Sequence, residues 1–308
     1  MTPFTIDLDS TICETYGLAK EGARHHGYTG VRGYHPLLAV AAGSGDILMA
    51  RLREGRANTA RGAAHFLTET IGRVRSAGAT GQLTVRADSG FYAHAVVGVC
   101  RAMGVRFSIT IRQHRSVRRL IEAIPDDAWT PIPYWIAGGA DVAETTYTPF
   151  AAEKDAVPVR LIVRRVRPTP GSQLALLTLY DYHAFITDRD GETLALEADH
   201  RRHAEIENAI RDLKYGMALN HLPSGRFAAN GAWLAVQVIA HNLARWTARL
   251  GLGEGIVTAK TLRRRLFGLV GRLTRSARRV TLRLPARWPW AVGFGAALAR
   301  FRAMPLLA

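Results

Sequence analysis

The N-terminal stretch Phe4-Thr5-Ile6-Asp7-Leu8-Asp9 alternates apolar and polar residues, with the apolar side chains at every second position. A period of two is typical of a β-strand with one apolar face, because successive side chains point to opposite sides of a sheet. Asp9 then lies at the carboxyl end of this strand. Residues 36–42 and 47–52 are two further apolar runs flanking Gly43-Ser44-Gly45-Asp46, a pattern that predicts a hairpin.

Beyond the hairpin, helix and strand signals alternate. Residues 59–77 carry apolar side chains at steps of three and four, which predicts an amphipathic helix. Residues 83–87 alternate again as a strand, and Asp88 follows directly. A helix over 93–103 and a strand over 105–111 complete the order β, β, β, α, β, α, β. This order predicts an α/β fold.

The pattern changes at about residue 113. Prolines interrupt short β-rich runs, among them 159–166 and 174–187, and predict a β-rich insertion. The helical signal returns at His200, where an apolar stripe runs through Ile206, Ile210, Leu213 and Met217. A second long helix is predicted over 226–250, and the glycines of 251–255 form a joint before the last segment.

The charge of the chain points to a polyanionic partner. Its 308 residues include 41 Lys and Arg against 25 Asp and Glu, a net charge of +16. Such a balance favours phosphate-rich partners and disfavours small neutral substrates. After Glu254 there is no acid, and residues 255–308 hold eleven Arg and Lys260. We expect this segment to be a non-specific polyanion surface.

Cysteine content and hydropathy point to the cytoplasm. Cys13 and Cys100 are too far apart to form a paired motif, and we expect both to be reduced residues of the core. No apolar run reaches 18 residues, and the N-terminus lacks a basic region followed by an apolar stretch. The sequence therefore indicates neither a secreted nor a membrane protein.

Three acids stand out as candidates for chemistry. Asp9 and Asp88 end two strands, and Glu207 lies opposite the apolar stripe of its helix, on a face predicted to carry His200, His203, Arg211 and Lys214. Together the acids would form a hard-oxygen site for Mg²⁺. Two alternatives stay open: the acids could be surface groups, with Asp9 capping a turn and Glu207 pairing with Arg211, or His200, His203 and Glu207 could bind zinc.

The sequences of four motifs resemble those of the DDE transposases of bacterial insertion sequences. The motifs are Asp7-Leu8-Asp9-Ser10-Thr11, Gly33-Tyr34-His35-Pro36-Leu37, Arg86-Ala87-Asp88-Ser89-Gly90-Phe91-Tyr92, and the run from Glu207 to Lys214. Among these transposases, the motifs are similar to those of the group that has a β-rich insertion between the second aspartate and the glutamate. The last motif of that group has the form Y-x2-R-x3-E-x6-K. The resemblance extends from Phe4 to the Arg-rich tail.

The resemblance implies a role for each matching residue. Asp9 and Asp88 would be the two metal-binding aspartates, Glu207 the acid on the helix, and Lys214 the signature lysine. It further implies two Mg²⁺ ions, with Mn²⁺ as a substitute, and cut-and-paste transposition of double-stranded DNA with terminal inverted repeats. A homodimer would pair two DNA ends.

The DNA contacts expected from these considerations come from several parts of the chain. Trp135 resembles the insertion aromatic that stacks on an extruded base in related transposases, although both it and Trp129 could instead pack the core of the insertion. His200 and His203 replace the Tyr and Arg of the family motif, so a titrating group stands where a permanent charge is expected. The remaining candidates are Arg211, Arg263, Arg264 and Arg265.

The expected organisation is an RNase H-like mixed sheet with flanking helices. The catalytic core comprises residues 1–112 and 199–250, the β-rich insertion residues 113–198, and a basic helical segment residues 251–308. Compared with similar transposases, the chain lacks an N-terminal DNA-binding region, which suggests a truncated product. Two rival functions stay open: a transposase remnant that only binds DNA, and a stand-alone RNase H-like nuclease.

Overall fold

The first predicted strand lies inside a nine-stranded mixed sheet. A computed structural model describes residues 2–136, 138–168, 180–285 and 287–305. The strands are β1 (Phe4–Ser10), β2 (Cys13–Glu14), β3 (Arg24–His25), β4 (Arg32–Tyr34), β5 (Leu37–Ala41), β6 (Ile47–Arg51), β7 (Leu83–Ala87), β8 (Arg106–Thr110), β9 (Thr130–Ile132), β10 (Ala140–Tyr147), β11 (Val159–Val166), β12 (Asp181–Thr187), β13 (Arg272–Ser276) and β14 (Arg279–Arg283).

Helices cover both faces of the sheet. They are α1 (Ala63–Ser76), α2 (His94–Ala102), α3 (Arg115–Glu122), α4 (Thr193–Arg201), α5 (Ile206–Gly216), α6 (Phe227–Trp246), α7 (Ala259–Leu262) and α8 (Ala291–Ala303). Short 3₁₀ turns lie at Ser89–Phe91, Asp126–Ala128 and Arg202–Glu205, and π-helical turns at Thr247–Leu252 and Arg263–Phe267. No described helix meets the length and hydropathy that a bilayer crossing requires.

The strand order is β6-β5-β1-β7-β8-β12-β11-β10-β9. The pairs β1 with β7 and β7 with β8 are parallel, whereas the hairpin β5-β6 is antiparallel, as its glycine turn predicts. The seven predicted elements, β1, β5, β6, α1, β7, α2 and β8, occur in the predicted order, with the short strands β2, β3 and β4 inserted after the first. The mixed RNase H-like sheet is confirmed as well.

The strands after residue 113 continue the same sheet. β12 pairs with β8, and β11, β10 and β9 follow outward in antiparallel order. An unpaired β8 would present a row of free N–H and C=O groups, which β12 satisfies. The expected boundary near residue 112 is therefore not marked by a break in the sheet. Helical structure resumes at Thr193, before the predicted start at His200.

Two cores lie on opposite faces of this sheet. On one face α1 and α2 pack against the apolar side chains of β1 and β7, with Ile6, Phe66 and Val97 fully buried. On the other face α5 and α6 pack against the hairpin β5-β6, through residues such as Val40, Leu213 and Leu234. Cys13 and Cys100 are buried and free, as predicted.

Residues 13–34, which the sequence presents as a polar glycine-rich stretch, form a small three-stranded sheet of β2, β4 and β3. Gly33 permits the pairing of β4 with β2, because a Cβ atom there would lie 2.1 Å from the carbonyl oxygen of Cys13. Strands this short carry no readable period of two, so the pattern did not predict them.

The polar positions of β1 and β7 are buried as well, which differs from the expectation of one apolar face. Asp7 and Arg86 are each 1% exposed, and they face each other across the parallel pair. Arg86 Nε donates to Asp7 Oδ1 at 2.7 Å and Nη2 donates to Oδ2 at 2.8 Å. The segment that connects α4 to α5 closes over this ion pair, because His203 Nδ1 donates to Asp7 Oδ1 at 3.1 Å and Arg86 Nη1 donates to Asp199.

Replacing Arg86 by Met should destabilise the protein by about 3–5 kcal/mol, because a buried carboxylate would lose its counter-charge. The double variant Asp7→Leu/Arg86→Met should recover most of this loss, since neither charge then remains. Urea unfolding measures both effects. Arg202→Met, which breaks an exposed pair with Glu205, is the control and should cost less than about 1 kcal/mol. An equal loss for Arg202→Met and Arg86→Met would contradict this role of the buried pair.

Candidate active site

Two of the predicted acids lie side by side at one edge of the sheet. Leu8 of β1 is in register with Ala87 of β7, so the next residues along the two strands are Asp9 and Asp88. Neighbouring strands are about 4.8 Å apart, and paired residues of parallel strands point to the same face. That face is the one covered by α5, the helix that carries Glu207.

Asp9 is a half-buried carboxylate near other acids. Burial raises its pKa to about 6, and the negative charges of Asp88 and Glu207 act in the same direction. The backbone N–H of Ser10, which donates to Asp9 Oδ1 at 2.6 Å, and the nearby His203 lower the pKa and offset only part of the rise. Asp88 and Glu207 therefore lie near enough to Asp9 to affect its pKa.

Asp88 and Glu207 are held differently. Asp88 Oδ1 accepts the backbone N–H of Gly90 at 2.9 Å, so this carboxylate caps the 3₁₀ turn that follows β7. Glu207 is exposed in the first turn of α5. Within the described ranges it forms no ion pair with Arg211 or any other cation. The alternative of a Glu207–Arg211 pair therefore finds no support. The other alternative gave a turn cap to Asp9, but Asp9 lies within β1 and Asp88 is the aspartate that caps a turn.

His35 supports the end of β1, where Asp9 lies, a role that the sequence analysis did not assign. Its Nδ1 lies 2.7 Å from the carbonyl oxygen of Ala57 and therefore donates, so that Nε2 accepts from the hydroxyl of Ser10 at 2.9 Å. Burial lowers the pKa of His35 to about 4, which keeps the ring neutral. The only signal in the sequence was its place in the motif Gly33-Tyr34-His35-Pro36-Leu37.

The two histidines expected at the DNA backbone point inward. The ring nitrogens of His200 are hydrogen-bonded to the hydroxyls of Ser108 and Thr110 at 2.8 and 2.9 Å, and the ring stacks on Phe185. Burial lowers the pKa of His200 well below its ordinary range, so the ring is neutral. His203 binds Asp7. With their nitrogens directed to different partners, the histidines do not form the shared face required for zinc.

The other predicted DNA contacts are distributed over the surface. Lys214 Nζ donates to the carbonyl oxygen of Ile12 at 2.9 Å and so ties α5 to the loop after β1. Arg211 is exposed, and Trp135 is 84% exposed, unlike Trp129, which is buried in the core. Arg263 donates to Gly216, Arg265 pairs with Glu254, and Arg264 is exposed. Whether any of them contacts DNA stays a prediction.

A polar pocket of about 480 Å³ adjoins Glu207. Arg164 and Arg201 line it, and both guanidinium groups lie over the ring of Tyr134, at 5.4 and 5.5 Å from its centre. Both arginines also pair with the buried Glu197. The pocket thus places cationic side chains beside the exposed carboxylate of the site, an arrangement suited to a phosphate group.

The donor set fits a hard divalent cation. Mg²⁺ is held by one or two carboxylates together with water and substrate oxygens. Burial is the main cause of the raised pKa of Asp9, and a bound cation would stabilise its charged form. In the part of the chain that the structure describes, no three His, Cys, Asp or Glu side chains close on a common ion position. That Asp9, Asp88 and Glu207 converge on one metal site therefore stays a prediction.

The raised pKa of Asp9 makes a prediction about stability. Its pKa in the folded state lies above the ordinary 3.8, so the stability gained from protonation is present below that value and is lost as the pH rises through about 6. Asp9→Asn should therefore be more stable than the native chain near neutral pH, by on the order of 2 kcal/mol, and equally stable near pH 4. Thermal or urea unfolding across this range tests the prediction.

The control for this test is Asp127→Asn, which changes an exposed acid and should leave the pH profile unchanged. Added Mg²⁺ should raise the melting temperature of the native chain near neutral pH and leave that of Asp9→Asn unaffected. A variant that is less stable than the native chain at neutral pH would contradict the assigned environment of Asp9.

Comparison with known proteins agrees with this architecture. A family model described as transposase DDE domain group 1 matches residues 1–306. Among solved structures, the cryo-EM structure of a piggyBac transposase synaptic complex with hairpin DNA is similar, with a TM-score of 0.50 and 10% sequence identity. The alignment covers 98% of this chain and 55% of that one, so the chain spans about half the length of that transposase. No curated protein matches. From the family match, the chain belongs to the DDE transposase domain family, group 1.

Proposed function

We propose that this chain is a DNA transposase of an insertion sequence, which cleaves DNA and transfers the freed strand in cut-and-paste transposition. The observation that supports this most directly is that Asp9 and Asp88 follow the last paired residues, Leu8 and Ala87, of two parallel strands, on the face covered by the helix that carries Glu207. Family membership adds to it. The raised pKa of Asp9 is a further support, because a perturbed carboxyl that lies near two other acids is typical of functional sites.

Asp9, Asp88 and Glu207 would hold the divalent ions, Mg²⁺ or Mn²⁺. When bound, a pair of such ions activates the attacking oxygen and stabilises the leaving 3′-oxygen of a phosphodiester. The chain itself orients the ligands: Ser10 N–H fixes one oxygen of Asp9, and Gly90 N–H fixes one oxygen of Asp88. His203 and Arg86 secure the segment that leads into α5 and hence the position of Glu207.

The hairpin β13-β14 is the strongest candidate for binding the DNA backbone. Arg272 lies directly opposite Arg283, and Arg279 is opposite Ser276, all on one face of a hairpin whose residues are almost all exposed. Like charges placed opposite each other destabilise a sheet unless an anion lies between them. A phosphate backbone supplies that anion. We define Arg272, Arg279 and Arg283 as the arginine ladder.

A non-catalytic DNA-binding protein is the second candidate. The observation that favours it is that no three carboxylates in the described residues close on one ion position. Both functions would use the basic surfaces to bind DNA, and they differ in whether the three acids support cleavage. A stand-alone nuclease would cleave without strand transfer.

Catalysis is tested by metal-dependent nicking of DNA that carries the flanking inverted repeats. Asp88→Asn keeps the acceptor for Gly90 N–H and removes the charge, so it should reduce nicking by at least ~100-fold without loss of folding. Asp127→Asn should cleave normally. Joining of the freed end to target DNA separates a transposase from a nuclease.

If neither the native chain nor Asp88→Asn cleaves, while both bind DNA in a salt-sensitive manner, the chain is a binding protein. Cleavage that is equal in the native chain and in Asp88→Asn would exclude the proposed acids as the active site.

The arginine ladder should set the salt dependence of DNA binding. The triple variant Arg272→Gln/Arg279→Gln/Arg283→Gln should reduce the slope of log K against log salt by about 2–3, because each neutralised phosphate contributes roughly 0.9. Fluorescence anisotropy with duplex DNA measures this slope. The control Arg73→Gln/Arg118→Gln/Arg119→Gln removes the same charge from exposed sites on α1 and α3. Equal slopes for the two triple variants would show that only net charge matters.

A further inference from the structure

One side of α6 is apolar along its whole length and exposed. Its large side chains lie 38–59% exposed, and we name them the α6 face: Trp233, Val236, Ile239, Leu243, Trp246 and Leu250. The last of them lies in the π-helical turn that continues α6. Exposed alanines at 228, 229, 232 and 235 border the face, and no charged residue occurs between positions 227 and 244.

The opposite side of α6 already accounts for the packing of this helix. Leu234 and Ala244 are buried against α5, the hairpin β5-β6 and the C-terminal helices, together with the polar Asn230 and His241. Nothing in the described ranges covers the α6 face. Single exposed apolar residues are ordinary, but six along one helix form a continuous patch of the kind that marks an interface.

The α6 face is symmetric about its centre. Trp233 and Trp246 are equidistant from the midpoint between residues 239 and 240, and so are Val236 and Leu243. Two copies of the helix packed antiparallel around a twofold axis at this midpoint would place tryptophan against tryptophan and Val236 against the Leu243 of the second copy. A twofold interface requires such a self-complementary patch.

We propose that two copies of this chain associate through their α6 faces as an antiparallel helix pair, and that this dimer forms without DNA. Complete coverage of the six side chains would remove about 600 Å² of surface from each copy, near the roughly 800 Å² per partner of a standard interface. The bordering alanines add to this area and let the helices approach closely. Because the face carries no charged side chain, the contact would bury no unpaired charge.

The oligomeric state tests this interface. Sedimentation velocity of the full chain without DNA should give a dimer at micromolar concentration, and Val236→Glu should shift it to a monomer, with the circular dichroism unchanged. Val292→Glu, which introduces the same charge at an 86% exposed position of α8, is the matched control and should remain dimeric. A native chain that is monomeric up to high micromolar concentration overturns the proposal, as does a dimer that Val236→Glu leaves intact.

A charge pair tests the antiparallel arrangement. Val236→Glu/Leu243→Arg should restore the dimer, because the twofold axis brings position 236 of each copy against position 243 of the other. Val236→Glu/Leu243→Glu should stay monomeric. A parallel pair would instead place like charges together, so a lack of rescue by Val236→Glu/Leu243→Arg overturns the antiparallel arrangement.

A cross-link gives a second readout that does not depend on charge. Ile239→Cys lies beside the proposed axis and should form a disulfide-linked dimer under mild oxidation, whereas Val292→Cys should not. The native thiols do not interfere, because Cys13 and Cys100 are buried. Equal cross-linking of Ile239→Cys and Val292→Cys would indicate random collision and overturn the assignment.

Discussion

The ion pair between Asp7 and Arg86 holds the two halves of the candidate site together. It joins β1 to β7 in the sheet, and through His203 and Asp199 it also attaches the segment that leads into α5. The chain thereby connects residues that are far apart in sequence through charges that water does not reach. A buried pair of this kind adds little net stability over apolar residues of the same shape, but it permits few alternative partners. Its contribution here is the position of the helix that carries Glu207.

The site combines fixed carboxylates with a partly buried, poorly solvated acid. Backbone N–H groups orient Asp9 and Asp88. The neutral ring of His35 accepts a hydrogen bond from Ser10 at the end of β1, next to Asp9. The pKa of Asp9 is nevertheless raised, mainly because the carboxyl is withdrawn from water and to a smaller extent because Asp88 and Glu207 lie near it. A raised carboxyl pKa of this kind is characteristic of a site that binds a charged ligand, where some stability of the fold is given up for function. The cationic pocket beside Glu207 and the arginine ladder are the complementary positive surfaces.

For two of the predicted DNA contacts, His200 and His203, residue type and helical spacing did not predict the partners that the side chains have in the structure. His200 and His203 occupy positions where cationic or polar groups were expected, and the helical period placed them on one face with Glu207. The structure changes helix type between them, with a 3₁₀ turn at Arg202–Glu205, so the face is not continuous. His200 instead forms hydrogen bonds with the hydroxyls of Ser108 and Thr110 on β8. Burial there favours the neutral form of its ring.

The sequence alone determined the order of elements, the hairpin and the location of Asp9 and Asp88 at strand ends, because periods of two and 3.6 are local properties of the chain. It also indicated the basic tail. Only the tertiary structure decided that Asp7 and Arg86 are buried partners, that β12 to β9 extend the central sheet, and that the residues the structure describes leave one side of α6 uncovered. Each of these features depends on contacts between elements that are far apart in the sequence. A local pattern of residues does not tell which distant element will pack against it.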